Sequence, residues 1–156
     1  MRELPHTRSC FVCGDSNASG LRLRFETDGR IVQAKFVPGP EPVGFKAAVH
    51  GGLIATVLDE TMVWACGVPT RRVAWCAELN VRFTSPLRPG EESLAIAEMT
   101  ANRRNKIFEA KAELRNSAGI VLASATGKYL PIKEADLPGM LEDFAGDTGG
   151  VFGPPA

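Results

Sequence analysis

What the chain lacks narrows its class before any motif is read. Neither charge sign is in excess: 18 lysines and arginines stand against 18 aspartates and glutamates in 156 residues. That balance argues against the broad basic surface by which proteins hold nucleic acid, and no nucleic-acid partner is expected. No run of about 18 apolar residues occurs, so no membrane span is expected either. The opening MRELPHTRSC has no apolar core of the kind a secretory signal requires. Four cysteines without the dense spacing of a disulfide scaffold point to a reducing, cytoplasmic setting. Repeats and low-complexity blocks are missing as well. The length suits one domain with a full core.

What is present concentrates in Val49-His50-Gly51-Gly52-Leu53-Ile54-Ala55-Thr56-Val57-Leu58-Asp59-Glu60. A histidine and two glycines open a helix that is apolar on almost every side. Leu53, Ile54, Val57, Leu58, Met62, Val63 and Trp64 leave it no wet face, which predicts burial. Asp59 and Glu60 nevertheless stand in its middle. A buried carboxylate costs several kcal/mol unless it is paired or shifts its pKa, and ionisable groups held at that cost are candidates for chemistry. Glycine is a poor helix former, but at a helix start it lets backbone N–H groups approach an oxygen closely. A bare N-terminal amide and a carboxylate are the parts needed to polarise a carbonyl and activate water. The plainer reading makes Asp59 part of a narrow solvent stripe with Thr56 and the glycines a simple turn.

The remaining pattern predicts an α+β chain. Leu21, Leu23 and Phe25 alternate with Arg22 and Arg24, Asp28-Gly29 reads as a hairpin turn, and Val32, Ala34 and Phe36 continue a second strand. The helix is expected from about Gly51 to Cys66, stopped by Gly67 and Pro69. Four strands follow: Val73 to Thr84, Ser93 to Ala101, Ile107 to Leu114 and Ile120 to Leu130. One helix with short-linked strands implies an antiparallel sheet. From Glu134 onward, glycine and proline dominate. Leu137 to Phe144 reads as a helical turn or two, and the rest as a mobile or partner-packed extension.

The HGGxxxxxxD pattern at the start of a central helix resembles the hotdog-fold thioesterases of the phenylacetate-pathway type, within the 4-hydroxybenzoyl-CoA thioesterase superfamily. CFVCGDSNASGLRLRF upstream, Gly44-Phe45 before the motif, LDETM inside the helix and AELNVRFTSPLRPG after it have counterparts there, in the same order. The resemblance runs from about Cys10 to Ile132. It implies a hotdog fold, a long helix wrapped by a curved antiparallel sheet, and hydrolysis of acyl-CoA thioesters without a cofactor. It divides the chain into an N-terminal C-x-x-C segment (residues 1–19) packing on the domain, the hotdog domain (20–132) and a C-terminal extension (133–156).

Carried over residue by residue, the resemblance assigns Asp59 as general base or nucleophile and leaves that choice open. It assigns the Gly51 amide to polarising the thioester carbonyl, beside Gly52, and His50 to placing the thioester or shaping the turn. Cys76, in WCAELNVRF, occupies the position where many members carry a hydroxyl near the carboxylate. A thiol is the weaker donor. Arg103, Arg104 and Lys106 match a strand turn that contacts the nucleotide part of coenzyme A, with Arg82 and Arg88 flanking the preceding strand. Phe45, Met62 and Trp64 are candidates for the acyl pocket or for ordinary core.

Two elements of the reading come from geometry. Gly51 and Asp59 are eight residues apart, roughly 12 Å along a helix at 1.5 Å per residue. One helix cannot bring both to one thioester, so the site needs a second, antiparallel copy. A homodimer or a tetramer made of two dimers is expected, as in the hotdog proteins. Glu60 lies about 100° around the helix from Asp59, so only one of them faces a given cleft, and the spacing from His50 favours Asp59. Cys10-x-x-Cys13 with His6 invites a zinc reading, but structural zinc usually takes four ligands in matched pairs. No second C-x-x-C occurs, and the segment is read as packing or capping with no metal. A hotdog dehydratase and a non-catalytic acyl-CoA binder are the alternative functions.

Overall fold

A computed structural model describes residues 1–146, 148 and 151–152. Short strands β1 (Arg2–Glu3), β2 (His6–Thr7) and β3 (Phe25–Thr27) precede β4 (Ile31–Phe36). The long helix α1 (Gly51–Thr70) follows. Four long strands come next: β5 (Ala74–Phe83), β6 (Ser93–Arg103), β7 (Ile107–Asn116) and β8 (Val121–Pro131). Helix α2 (Leu137–Leu141) and strand β9 (Phe144–Ala145) complete the order. Seven strands form one antiparallel sheet in the order β1-β3-β4-β6-β7-β8-β5, and β2 pairs with β9.

The strands form where side chains alternate. On β7, Phe108, Ala110, Ala112 and Leu114 are buried, opposite Glu109, Lys111 and Glu113, as the sequence pattern predicts. Ala97 pairs with Ala112, which pairs with Ala125, and all three are buried. This row of small side chains across three strands lets a helix lie close to the sheet. The helix that lies there presents Val57, Leu58, Thr61 and Met62, none of which retains accessible surface. The Thr61 hydroxyl is satisfied within the helix, donating to Val57 O at 2.6 Å. By length and mean hydropathy (1.2) α1 would suffice to cross a membrane, a property the search for unbroken apolar runs misses because Asp59 and Glu60 interrupt it. Here the sheet wraps it instead, with β4 to β8 all packed against it.

Two expectations are corrected. The helix does not stop at Cys66 but runs through Gly67 and Pro69 to Thr70, where Arg71 takes a left-handed conformation (φ 57°) and donates its N–H to Gly67 O at 2.7 Å. Gly67 serves packing: a Cβ there would sit 3.1 Å from the Phe152 ring. Second, Leu21 to Arg24 is not strand, because Arg22 is left-handed (φ 53°). The amides of Leu21 and Leu23 donate to Phe11 O and Val12 O at 2.8 Å, which ties this stretch to the N-terminal segment. The described part of the C-terminal extension is held down. Phe144 and Phe152 pack on Trp64 with ring centroids 6.2 and 5.5 Å away, and β9 pairs with β2. Residues 147, 149, 150 and 153–156 of that extension lie outside the described residues. Of the residues left open between acyl pocket and core, Trp64 and Met62 belong to the core: Trp64 faces Phe25 and the C-terminal aromatics, while Phe45 stands 93% exposed.

Candidate active site

The start of α1 is organised by His50. Its Nδ1 accepts from Gly52 N at 2.9 Å, and its carbonyl accepts from Leu53 N and Ile54 N. A histidine therefore acts as the N-cap, satisfying donors that a helix start leaves open. Gly52 N–H is consumed by this cap. The Gly51 N–H makes no hydrogen bond among the described residues. It borders a shallow cavity of about 340 Å³ lined by Val49, Gly51, Ile54, Phe83, Thr84, Ser85 and Pro86. Glycine is required at 51 by close approach: a Cβ would lie 3.2 Å from the Phe83 ring.

Two turns further on, Asp59 faces β8 and β5. The Tyr129 hydroxyl donates to Asp59 Oδ1 at 2.9 Å and lies 3.3 Å from the Asp59 carbonyl oxygen. Burial, together with the charge of Asp59, holds the Tyr129 phenol well above its ordinary range, so it remains a donor. Tyr129 reaches this position because Gly127, two residues earlier on the same face of β8, has no side chain. A Cβ at 127 would come within 2.7 Å of the Tyr129 ring and hydroxyl. Cys76 pairs with Tyr129 across β5 and β8, at a bulge between Cys76 and Glu78. Such a bulge re-aims the side chains beside it. Burial, then a hydrogen bond shared with Asp59 and its charge, pushes the Cys76 thiol up to about 11. Asp59, Tyr129 and Cys76 thus form one polar cluster.

Glu60 points the other way. Its Oε1 lies 3.8 Å from Cys10 Sγ and 3.7 Å from Cys13 Sγ. Part of the side chain reaches solvent, but the crowding around the carboxyl raises it to about 8; burial is the main cause, and the neighbouring Cys10 and Asp59 add to it. The neighbouring Cys13 thiol and the Cys13 and Val12 amides draw Cys10 down to about 5, while the Cys10 thiol and burial push Cys13 upward.

The basic turn is a tight hairpin between β6 and β7. Arg104 and Asn105 are both left-handed (φ 55° and 57°), and Asn102 and Asn105 bond to each other side chain to side chain and side chain to backbone. Arg103 is occupied, paired with Glu109 at 2.6 Å. Arg104 and Lys106 are exposed and carry no ion pair among the described residues. Arg72, just past α1, donates to Asn105 O at 3.2 Å and adds a cation that the sequence reading did not include. Phe108, three residues beyond Asn105, pairs with Tyr129, so the turn lies about 10 Å along the strand from the Asp59 cluster. Arg82 lines a different hollow on the sheet, with Arg30, Lys111 and Arg115.

Residues 47–123, which hold α1, β5 and most of the sheet, match the thioesterase superfamily. That match covers just under half of the chain, and the fold around it is the hotdog, one long helix wrapped by an antiparallel sheet. Solved structures agree on the fold. One thioesterase superfamily protein superposes with a TM-score of 0.72 at 22% identity, over 79% of this chain and 63% of that one. This chain therefore spans less than two thirds of that protein. The Escherichia coli PaaI protein of the phenylacetic acid degradation operon gives 0.68 at 18% identity, over 76% and 86%. A Streptococcus mutans protein solved bound to acetyl-CoA gives 0.63 at 14%, over 70% and 88%. No curated protein sequence matches the chain.

Within the hotdog domain, the structure brings Asp59 and Cys76 together and sets Gly51 at the far end of the same helix. Tyr129 and its enabling Gly127 escaped the sequence reading. The signal was there: this is the only tyrosine of the chain, in a glycine-x-tyrosine step on a strand, where residues two apart share a face. The partner of Glu60 was also missed, because Cys10 and Cys13 are about 50 residues away in sequence.

Proposed function

We propose that this hotdog domain hydrolyses acyl-CoA thioesters to the free acid and coenzyme A, working as a homodimer. The observation that carries the reading is Asp59: a carboxylate on an otherwise apolar helix, with one oxygen held by the Tyr129 hydroxyl. Tyr129 occupies Oδ1, and Oδ2 is the oxygen assigned to an attacking water. Asp59 takes a proton from that water as hydroxide adds to the thioester carbonyl carbon. The charge that develops on the carbonyl oxygen meets the Gly51 N–H at the positive end of a helix dipole. Collapse of the tetrahedral intermediate expels the coenzyme A sulfur, which leaves with the proton.

The Gly51–Asp59 separation requires the amide and the carboxylate of one site to come from two copies. Strand β5 supports a dimer. Among the described residues it is one edge of the sheet, opposite β1, and it exposes Trp75, Leu79 and Phe83; a long apolar edge of this kind is suited to pairing with another chain. Phe83 also covers Gly51, so a partner packed there completes the wall of the Gly51 cavity. Arg104, Lys106 and Arg72 supply cations for the nucleotide phosphates. The acetyl-CoA bound to the Streptococcus mutans relative supports a coenzyme A thioester as ligand.

The test is thiol release from a panel of acyl-CoA esters by the purified chain, with sedimentation at micromolar concentration. Hydrolysis by a dimer or tetramer supports the reading. Hydration or dehydration with the thioester intact, or saturable binding without thiol release, would assign the site to a dehydratase or a binder. An active monomer would refute the shared site.

A further inference from the structure

The second carboxylate of α1, Glu60, has no part in that chemistry. Around it the fold gathers three metal-ligating atoms. Cys10 Sγ, Cys13 Sγ and a carboxylate oxygen of Glu60 all lie within 4.8 Å of one another, with sulfur–oxygen distances of 3.8 and 3.7 Å. A tetrahedral zinc with bonds of about 2.3 Å to sulfur and about 2.0 Å to oxygen sets such atoms roughly 3.5–3.8 Å apart. We propose that Cys10, Cys13 and Glu60 form a zinc-binding site that pins the N-terminal segment to the central helix.

The turn holding the cysteines is built as a metal-binding loop must be. It is closed by Gly14 N–H donating to Cys10 O at 2.9 Å. It is so tight that a Cβ on Gly14 would fall 2.3 Å from Cys10 O and 2.6 Å from Arg8 O. Each sulfur has a polar neighbour from the surrounding chain. Val12 N–H donates to Cys10 Sγ at 3.3 Å, and the Thr7 hydroxyl lies 3.6 Å from Cys13 Sγ. Donors aimed at sulfur fix ligand orientation and stabilise an electron-rich sulfur. Two thiols are poor compensation for an enclosed carboxylate, because S–H is a weak donor; a divalent cation compensates all three groups together. The indole N–H of Trp64, one helical turn beyond Glu60, is buried and makes no hydrogen bond among the described residues, though it lies near enough to the carboxyl to favour its charged form.

The ligands come from two places in the chain. Cys10 and Cys13 lie on a loop tied to the body by Leu21 and Leu23, and Glu60 lies on α1. Cys13 is buried and Cys10 borders solvent, so the fourth position of a tetrahedral ion faces water. His6 is not that ligand: its Nε2 is engaged with Asp15 at 3.3 Å. Because the metal side of α1 differs from the Asp59 side, this site stands independently of the thioesterase reading.

Metal analysis of the whole chain, purified without chelators, tests the proposal. About one zinc per chain is expected, falling below about a tenth in Cys13→Ser. Cobalt(II) added to chelator-stripped protein should give sulfur-to-cobalt charge-transfer absorption and the intense visible bands of a tetrahedral site. Glu60→Gln, which keeps the shape of the side chain, should weaken cobalt binding at least about tenfold while thiolate bands persist. Cys10→Ser provides a second variant should Cys13→Ser fail to fold. Unbound zinc and cobalt on a folded chain with reduced thiols would overturn the site. So would a mass two hydrogens short, the sign of a Cys10–Cys13 disulfide, in the freshly purified chain.

Discussion

Asp59 and Glu60 are neighbours on one helix, yet the fold gives them opposite surroundings. Asp59 faces the sheet, where a phenol donates to it at 2.9 Å and a thiol stands beside it. Glu60 faces the N-terminal segment, where two sulfurs lie 3.7 and 3.8 Å from its carboxyl. The first environment keeps a carboxylate hydrogen-bonded on one oxygen and usable on the other. The second crowds the group and raises it to about 8. One residue of sequence, about 100° of helix rotation, separates a candidate base from a candidate metal ligand. Carboxylates on an apolar helix are therefore not interchangeable, and it is the packing partners that assign their roles.

The largest effect that would break this comparison is Asp59→Asn. It should lower kcat for acyl-CoA hydrolysis at least ~100-fold, the scale of a lost general base, with the oligomer intact. Glu60→Gln should cost far less in kcat. If hydrolysis tolerates the first change and dies with the second, the two roles are reversed. Tyr129→Phe sharpens the Asp59 side. Losing the donor should lower kcat about 10-fold and cost about 1 kcal/mol of stability. An unchanged kcat would show that the phenol only packs.

Cys76 reports on the same cluster without substrate. With its thiol raised to about 11, the reactive thiolate is scarce at neutral pH and grows only as the pH climbs toward that value. Alkylation at pH 8 should therefore be slower than for an ordinary thiol of pKa about 8.5. Asp59→Asn removes the charge that holds it up and should accelerate alkylation several-fold. Equal rates in both proteins would separate Cys76 from Asp59. The smallest effect belongs to the basic turn. Arg104→Ala with Lys106→Ala should raise KM for acyl-CoA a few-fold and leave kcat unchanged, the mark of uniform binding. Arg103→Ala should matter less, because Glu109 already holds that guanidinium. A KM insensitive to all three at low salt would remove the turn from the site.

The sequence by itself determined an α+β chain with one buried helix and an antiparallel sheet, since alternation on β7 and the apolar helix with its glycine start are local periodicities that depend only on neighbours in the chain; the hotdog architecture entered through the resemblance of its ordered motifs. It also singled out Asp59, Gly51 and Cys76, two of which the fold brings into one cluster. Tertiary structure decided what local rules cannot see. Gly67 and Pro69 look like stops, but α1 runs past them because sheet and C-terminal aromatics pack on its last turns. Leu21 and Leu23 look like strand, but their amides are taken by the loop at Phe11 and Val12. Tyr129 meets Asp59 across 70 residues, and Glu60 meets Cys13 across 47. Contacts at such separations carry no periodic signal; they exist only once the sheet has closed around the helix.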